Sequence, residues 1–199
     1  MKKALITLLL FPLLGMTQSI ENVDYISPFH NGVAAIKKGD TWAFMDNEGS
    51  LIINYRDDLV PTSTENASYP IFNNDRCLIT HKKAGITYYG YIDKSGKTVV
   101  ETQYLNATNF KDGVAIVLKL VKENLGKNDV LMKNVVNYHY FEVAINNKGE
   151  ISQYLTQEPI HITLSEKYMK KLPGITSKII SENLIATRNN KKWAVRKIE

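Results

Sequence analysis

One phrase recurs along this chain at intervals of about 40 residues, and a chain that repeats itself at that spacing folds as an array of like units. Phe29-His30-Asn31-Gly32-Val33-Ala34-Ala35-Ile36 lines up with Phe110-Lys111-Asp112-Gly113-Val114-Ala115-Ile116-Val117, and more loosely with Phe72-Asn73-Asn74-Asp75-Arg76-Cys77-Leu78-Ile79. A fainter fourth copy runs from Ile180 to Thr187. Each is followed by a second segment: Trp42-Ala43-Phe44 to Gly49, Tyr89-Gly90-Tyr91 to Gly96, Glu142-Val143-Ala144 to Gly149, and Trp193-Ala194-Val195. Ile36 to Trp42 and Thr187 to Trp193 both span six positions, while the same gap is ten in the second copy and twenty-five in the third. The extra residues therefore sit between the same two segments each time, as expected of a hairpin loop.

The repeated segments are short, rich in Val, Ile, Tyr and Phe, and bounded by polar turn residues, which reads as β-strand. Asp46 to Gly49, Asp93 to Gly96 and Asn146 to Gly149 put Asp or Asn first and Gly last. The first side chain can bond its own turn, and Gly accepts the positive φ that closes it. Each unit is thus a small antiparallel meander that cannot bury its apolar face alone and must stack on its neighbours. The expected fold is all-β, with imperfect repeats of hairpins and meanders stacked in a curved array. The copies are placed at 27–66, 67–107, 108–155 and 178–199. Thr163 to Glu166 has capping-box spacing and Leu164, Tyr168 and Leu172 follow at helical intervals, so a short helix is expected over 164–172. Asn124 to Asn137, polar and Lys/Asn-rich, reads as the exposed tip of an extended hairpin or as a disordered loop.

Residues 1–18 read as an address. Lys2 and Lys3, the apolar run Ala4 to Leu14, and small residues near Thr17 follow in the order of a secretory signal peptide. The apolar run is well short of the roughly 20 residues that span a bilayer, and Pro12 interrupts it. The remaining chain is expected to be exported, periplasmic or extracellular, with no membrane span. Removal of two lysines lowers the formal charge from +5 to +3. Lysines such as Lys37, Lys82, Lys111 and Lys148 are scattered, whereas a nucleic-acid binder gathers them into a stripe, so no nucleic-acid partner is expected. One cysteine, Cys77, excludes an intramolecular disulfide and any multi-cysteine zinc site.

The phrase Phe, then Gly-Val-Ala, then Trp-Ala-Phe or Tyr-Gly-Tyr-Ile-Asp-Lys resembles the WG-repeat family of bacterial β-repeat proteins. Tyr89-Gly90-Tyr91-Ile92-Asp93 to Gly96 is the best copy. Trp42 and Trp193 are followed by Ala rather than Gly, and the third copy has Glu142-Val143. The resemblance covers most of 27–155 and the last fifteen residues. It implies a binding or scaffold module without implying any fixed activity.

Trp42, Tyr89, Gly90, Tyr91, Trp193, Gly49, Gly96 and Gly149 define the repeat. The aromatics among them are expected to seal one unit against the next, since burial is the default for large rings. Tyr88, Tyr138, Tyr140 and Tyr154 lie outside the repeated apolar positions and are the candidates for an exposed, ligand-binding aromatic surface. Cys77 occupies a slot that holds Ala34 and Ala115 in other copies, and reads as a buried, inert thiol. His30, His81, His139 and His161 share no metal-ligand spacing, and Asn146 replaces Asp46 and Asp93 at an equivalent turn, which speaks for turn capping over acid catalysis or calcium binding. No cofactor, metal or catalytic residue is expected. The reading is an exported, non-enzymatic binding module for a protein or glycan, set against an envelope hydrolase built from the insertions and a purely structural spacer. An exposed aromatic strip would favour glycan, a flat apolar patch a protein partner, and a polar cleft an enzyme.

Overall fold

The computed structural model describes residues 20–128, 133–189 and 191–198. The leader expected over 1–18 and the centre of the expected hairpin tip lie outside the described residues. Every regular element described is a β-strand. In the first unit β1 (Tyr25–Ile26), β2 (Ala34–Lys38), β3 (Thr41–Met45) and β4 (Leu51–Arg56) pair antiparallel in that order. A two-stranded ribbon, β5 (Thr62–Ser63) and β6 (Ser68–Tyr69), follows in the connection. The second unit is β7 (Cys77–Lys83), β8 (Ile86–Ile92) and β9 (Thr98–Ala107). The third is β10 (Val114–Asn128), β11 (Lys133–Asn146) and β12 (Ile151–Tyr154), with the short β13 (Ile160–His161) beside β11. One path, β12-β11-β10-β9-β8-β7, runs through both units. The fourth is β14 (Lys178–Ser181), β15 (Leu184–Asn189) and β16 (Lys192–Lys197). None of these sheets closes into a barrel.

The repeat phrase folds alike each time because two turns are fixed by side-chain chemistry. Asn31-Gly32, Asn74-Asp75 and Asp112-Gly113 have positive φ at both positions, the type I′ geometry that suits the right-handed twist of flanking strands. His30 and Val33, Asn73 and Arg76, and Lys111 and Val114 exchange backbone hydrogen bonds across them. In the second turn the Oδ1 of Asp46, Asp93 or Asn146 accepts two backbone N–H groups, from the residues two and four further on. Bonds from the Ser95 hydroxyl and from the backbone hold the Asp93 carboxyl below the usual range. The insertions between segments lengthen strands rather than loops. β7 and β8 still meet at a two-residue turn, Ala84-Gly85, and β10 and β11 stay in register from Val114↔Asn146 out to Asn128↔Lys133, with one irregularity between Asn124 and Gly126.

Alternate residues of each strand face opposite neighbours. Ala35, Trp42, Phe44 and Ile53 of the first unit pack on Phe72, Cys77, Ile79 and Ile92 of the second. Leu78, Tyr91 and Val100 of the second pack on Phe110, Ala115, Val117, Val143 and Ile145 of the third. Ile116, Ala144 and Leu155 of the third pack on Ile185 and Ile198 of the fourth. Equivalent positions thus fill equivalent layers, and the turn glycines keep step: the Gly96 position sits over Ile53 and the Gly149 position over Val100.

The helix expected over 164–172 is absent. That stretch makes one turn, with the Ser165 carbonyl accepting from the N–H of Tyr168 and of Met169. Met169 is buried while Tyr168, the middle residue of the expected stripe, is exposed. Leu164, Met169 and Ile162 instead cover a cluster formed by Ile86, Leu105, Leu118 and Tyr140 on the lengthened arms. A single turn cut short by Pro173-Gly174 cannot repay helix nucleation.

Candidate functional site

The four equivalent positions Trp42, Tyr89, Glu142 and Trp193 meet four fates. Trp42 is 6% exposed, with Tyr25 edge-on at 6.1 Å and Lys37, its cross-strand partner, over the ring at 5.7 Å. Tyr89 is half-buried, and Tyr91 is buried against Phe110 at 4.7 Å, its hydroxyl donating to the Thr108 carbonyl. Burial raises the Tyr89 and Tyr91 phenols above their ordinary range. Glu142 is buried, and its carboxylate accepts from the backbone N–H and the hydroxyl of both Thr176 and Ser177. It thereby fastens the chain that enters β14, which accounts for a carboxylate where other copies have a ring.

Trp193 was expected in the core and is 49% exposed. The reason is its place in the stack: the face that carries Trp42 and Phe44 in the first unit is covered by the second, and no described unit covers the fourth. Trp193 shares its face with Val195, 62% exposed, and Leu184. Its cross-strand partner Arg188 lies over the ring at 5.6 Å and Lys178 at 5.4 Å, two cation–π contacts on one indole. Residues 178–199 hold Lys178, Arg188, Lys191, Lys192, Arg196 and Lys197 against Glu182 and Glu199. Among the described residues none of these cations makes an ion pair. β16 pairs with β15 on one side, and no described strand lies on the other. A cleft of about 320 Å³ adjoins this hairpin, lined by Arg188, Arg196, Thr187 and Thr176 and by the chain leaving β12, Leu155 to Glu158 and Ile160.

The four tyrosines proposed as an exposed surface separate. Tyr140 is buried in the cluster under Met169, the alternation of β11 having turned it inward. Tyr88 and Tyr138 lie half-buried on the same side, where burial and then the neighbouring Tyr138 raise the Tyr88 phenol. Tyr154 is exposed on the other side, edge-on to Phe141 at 5.4 Å, and Lys119 donates to its hydroxyl at 2.9 Å. Phe141 continues to His139 and His139 to His161, with centroids 5.6 and 6.1 Å apart. This ring strip enlists Phe141, His139 and His161, which sequence reading had not linked to Tyr154. The signal was the shared parity of positions 139 and 141 on one strand.

Other side chains are accounted for by structure. Cys77 is fully buried between the first two units, and burial pushes its thiol up to about 12. Arg56 forks onto both oxygens of Asp58 and donates to the Gly96 carbonyl, tying the first unit to the second. Gly90 stands where a Cβ would meet the backbone of Val100, Glu101 and Thr102 within 3 Å. There β9 spends four steps, Val100 to Tyr104, on the two that β8 takes from Tyr91 to Tyr89. Ala43 suffices in the first unit, where β4 bulges less.

A family model described as WG containing repeat matches residues 22–42 and 89–119. No curated protein and no solved structure matches the chain. The first match ends on Trp42, and the second begins on Tyr89 and runs through the Phe110-to-Val117 phrase. The matches to this repeat model thus fall in the first unit and across the junction of the second and third.

Proposed function

We propose that the protein is a non-enzymatic binding module, exported by a bacterium, that engages a protein partner through the exposed Trp193 face of its fourth unit. The observation that carries this reading is the contrast between Trp42 and Trp193, equivalent rings with equivalent cross-strand cations, of which one is sealed and the other half open. A contiguous exposed face of Trp193, Val195 and Leu184 is of the kind that marks protein interaction sites. The first three units display how such a face is satisfied, by an apolar β-surface laid on it.

The test is retention of envelope and medium proteins on the immobilised chain and on its Trp193→Ala variant. A protein held by the first and lost from the second supports the reading. One held equally by both overturns it for this face. A second reading, glycan binding, is favoured by the strip Tyr154, Phe141, His139 and His161, since rings and polar edges together suit sugars. Retention of cell-wall glycan fragments that is lost on Tyr154→Ala, with no Trp193-dependent protein, would put that reading first.

A further inference from the structure

We infer that the edge of the stack where the type I′ turns of the first three units line up binds a linear glycan, laid along the stack with its hydroxyls on the turn side chains. The inference goes beyond the reading of the Trp193 face and does not rest on it.

The two junctions between these units differ. At the first, the Asn31 amide donates to the Phe72 carbonyl at 2.6 Å, and the His30 ring meets the Asn73 amide oxygen at 3.1 Å. Lys94, second in the turn from Asp93 to Gly96, donates to the Asn31 carbonyl at 2.9 Å and pairs with Asp75 at 2.7 Å. The turn edge is closed there by its own side chains. At the second junction the equivalents are Asn74 for Asn31, Lys111 for Asn73 and Asn147 for Lys94. The side chains of Asn74 and Lys111 have no partner among the described residues, nor has that of Asp112, the next in line. Asn147 is too short to do what Lys94 does. It receives the Arg76 guanidinium on its carbonyl at 3.0 Å, while its Oδ1 is buried with no partner among the described residues.

What the first junction closes, the second leaves as an open groove. A cavity of about 480 Å³ takes lining from all three units, with Asn31, Asn74, Lys111 and Asp112 among them. Another of about 470 Å³ shares Asn73, Phe110 and Lys111 with it and continues to Ser177, Lys178 and Ile179. Asn74, Lys111 and Asp112 thus offer a free amide, ammonium and carboxylate to one occupant. A carboxylate accepts from two neighbouring hydroxyls, an amide both accepts and donates, and an ammonium donates. That set fits the vicinal hydroxyls of a sugar, each of which is donor and acceptor at once. Half-buried Ile179 adds an apolar surface on which the C–H side of a sugar ring can rest. A peptide is served less well, since the one ring in the lining, Phe110, is 2% exposed and opens no pocket for an apolar side chain. A polyanion would meet the carboxylates of Asp75 and Asp112.

The repeat supplies the linkage. Sheets packed face to face lie about 10 Å apart, so equivalent turn residues return along the edge at about that interval. A disaccharide of an extended β-1,4-linked chain is of similar length. Its successive sugars are turned over, so the same edge of the chain comes back once per disaccharide and meets the same turn position in the next unit. An α-1,4-linked chain coils and loses the match.

The test is calorimetric titration of the full chain with chitohexaose, cellohexaose, chitobiose and maltohexaose. At least one of the two β-1,4-linked hexasaccharides should bind saturably. Chitobiose reaches a single turn and maltohexaose coils, so each should bind at least about tenfold more weakly. Asn74→Gly and Asp112→Gly keep the positive φ of those positions, and each should weaken the hexasaccharide at least about fivefold, whereas Trp193→Ala should leave it unchanged. Lys111→Ala, whose side chain has no internal bond to lose, should weaken it without moving the thermal unfolding midpoint. If the glycine variants unfold early and Lys111→Ala binds normally, the groove assignment fails. Failure of both β-linked hexasaccharides to bind overturns the proposal, and equal binding of maltohexaose overturns the match to the repeat. Binding that survives all three groove variants and is lost on Tyr154→Ala places the glycan on the ring strip and overturns the groove. None of these outcomes bears on Trp193-dependent retention of a protein, which is measured separately.

Discussion

Trp42 and Trp193 hold the same position in their units and each has a cation across the strand, Lys37 and Arg188, so their difference isolates what a neighbouring unit contributes. Trp42→Ala should cost about 3–5 kcal/mol in urea unfolding, the usual range for removing a large buried ring, whereas Trp193→Ala should cost about 1 kcal/mol or less. Equal costs would mean that the fourth unit buries its ring in solution. Cys77 gives a second check at this scale. Its thiol, raised to about 12 by burial, should stay unmodified by a thiol reagent at pH 8 and react once the chain is unfolded in urea. The sequence shows that a ring belongs to a repeat position, and that much could be read for Trp42, Tyr89 and Tyr91. It cannot show whether a further unit lies on top, which is why Trp193 was misplaced. Tyr140 was misread for a different reason: its inward direction depends on the register of β11 against β10 and on the connector that folds over it, neither of which is local.

The hairpins were legible because their turns are decided within four residues, by Asn, Asp and Gly at fixed offsets. The single turn at 165–169 was not, because a helical period of apolar residues is also what a connector has when it drops isolated side chains into separate pockets. Two substitutions probe what each element depends on. Gly49→Ala meets open space and suffers only its positive φ, about 1–2 kcal/mol. Gly90→Ala drives a methyl into the β9 backbone and should cost more than Gly49→Ala, measured by thermal unfolding of the two variants side by side. Glu142→Ala removes the acceptor for four donors on Thr176 and Ser177. It should destabilise by about 2–4 kcal/mol, and adding Ser177→Ala and Thr176→Val should cost far less than their sum. Additive losses would show that the carboxylate does not hold the connector. The Glu142 anchor was hidden from the sequence because its partners lie more than thirty residues away.

Across the whole molecule, stability is shared between neighbours, so position in the stack sets local persistence. Among the described residues, β8, β9 and β10 have layers on both sides, whereas β14 to β16 have one. Amide exchange should therefore be fastest in β15 and β16 and slowest in β8 and β10. Uniform exchange would indicate that the units open as a single body. The alternation that builds the stack also limits how its length can change. Val143 and Ile145 look toward the second unit, while Glu142 and Ala144 look toward the fourth. One residue added within that run would trade the two sets and undo two layers together. Residues added in pairs beyond Leu120 and Tyr138 would keep every parity below them. The lengthened arms of the second and third units are thus the places where such a chain can grow without renegotiating its core.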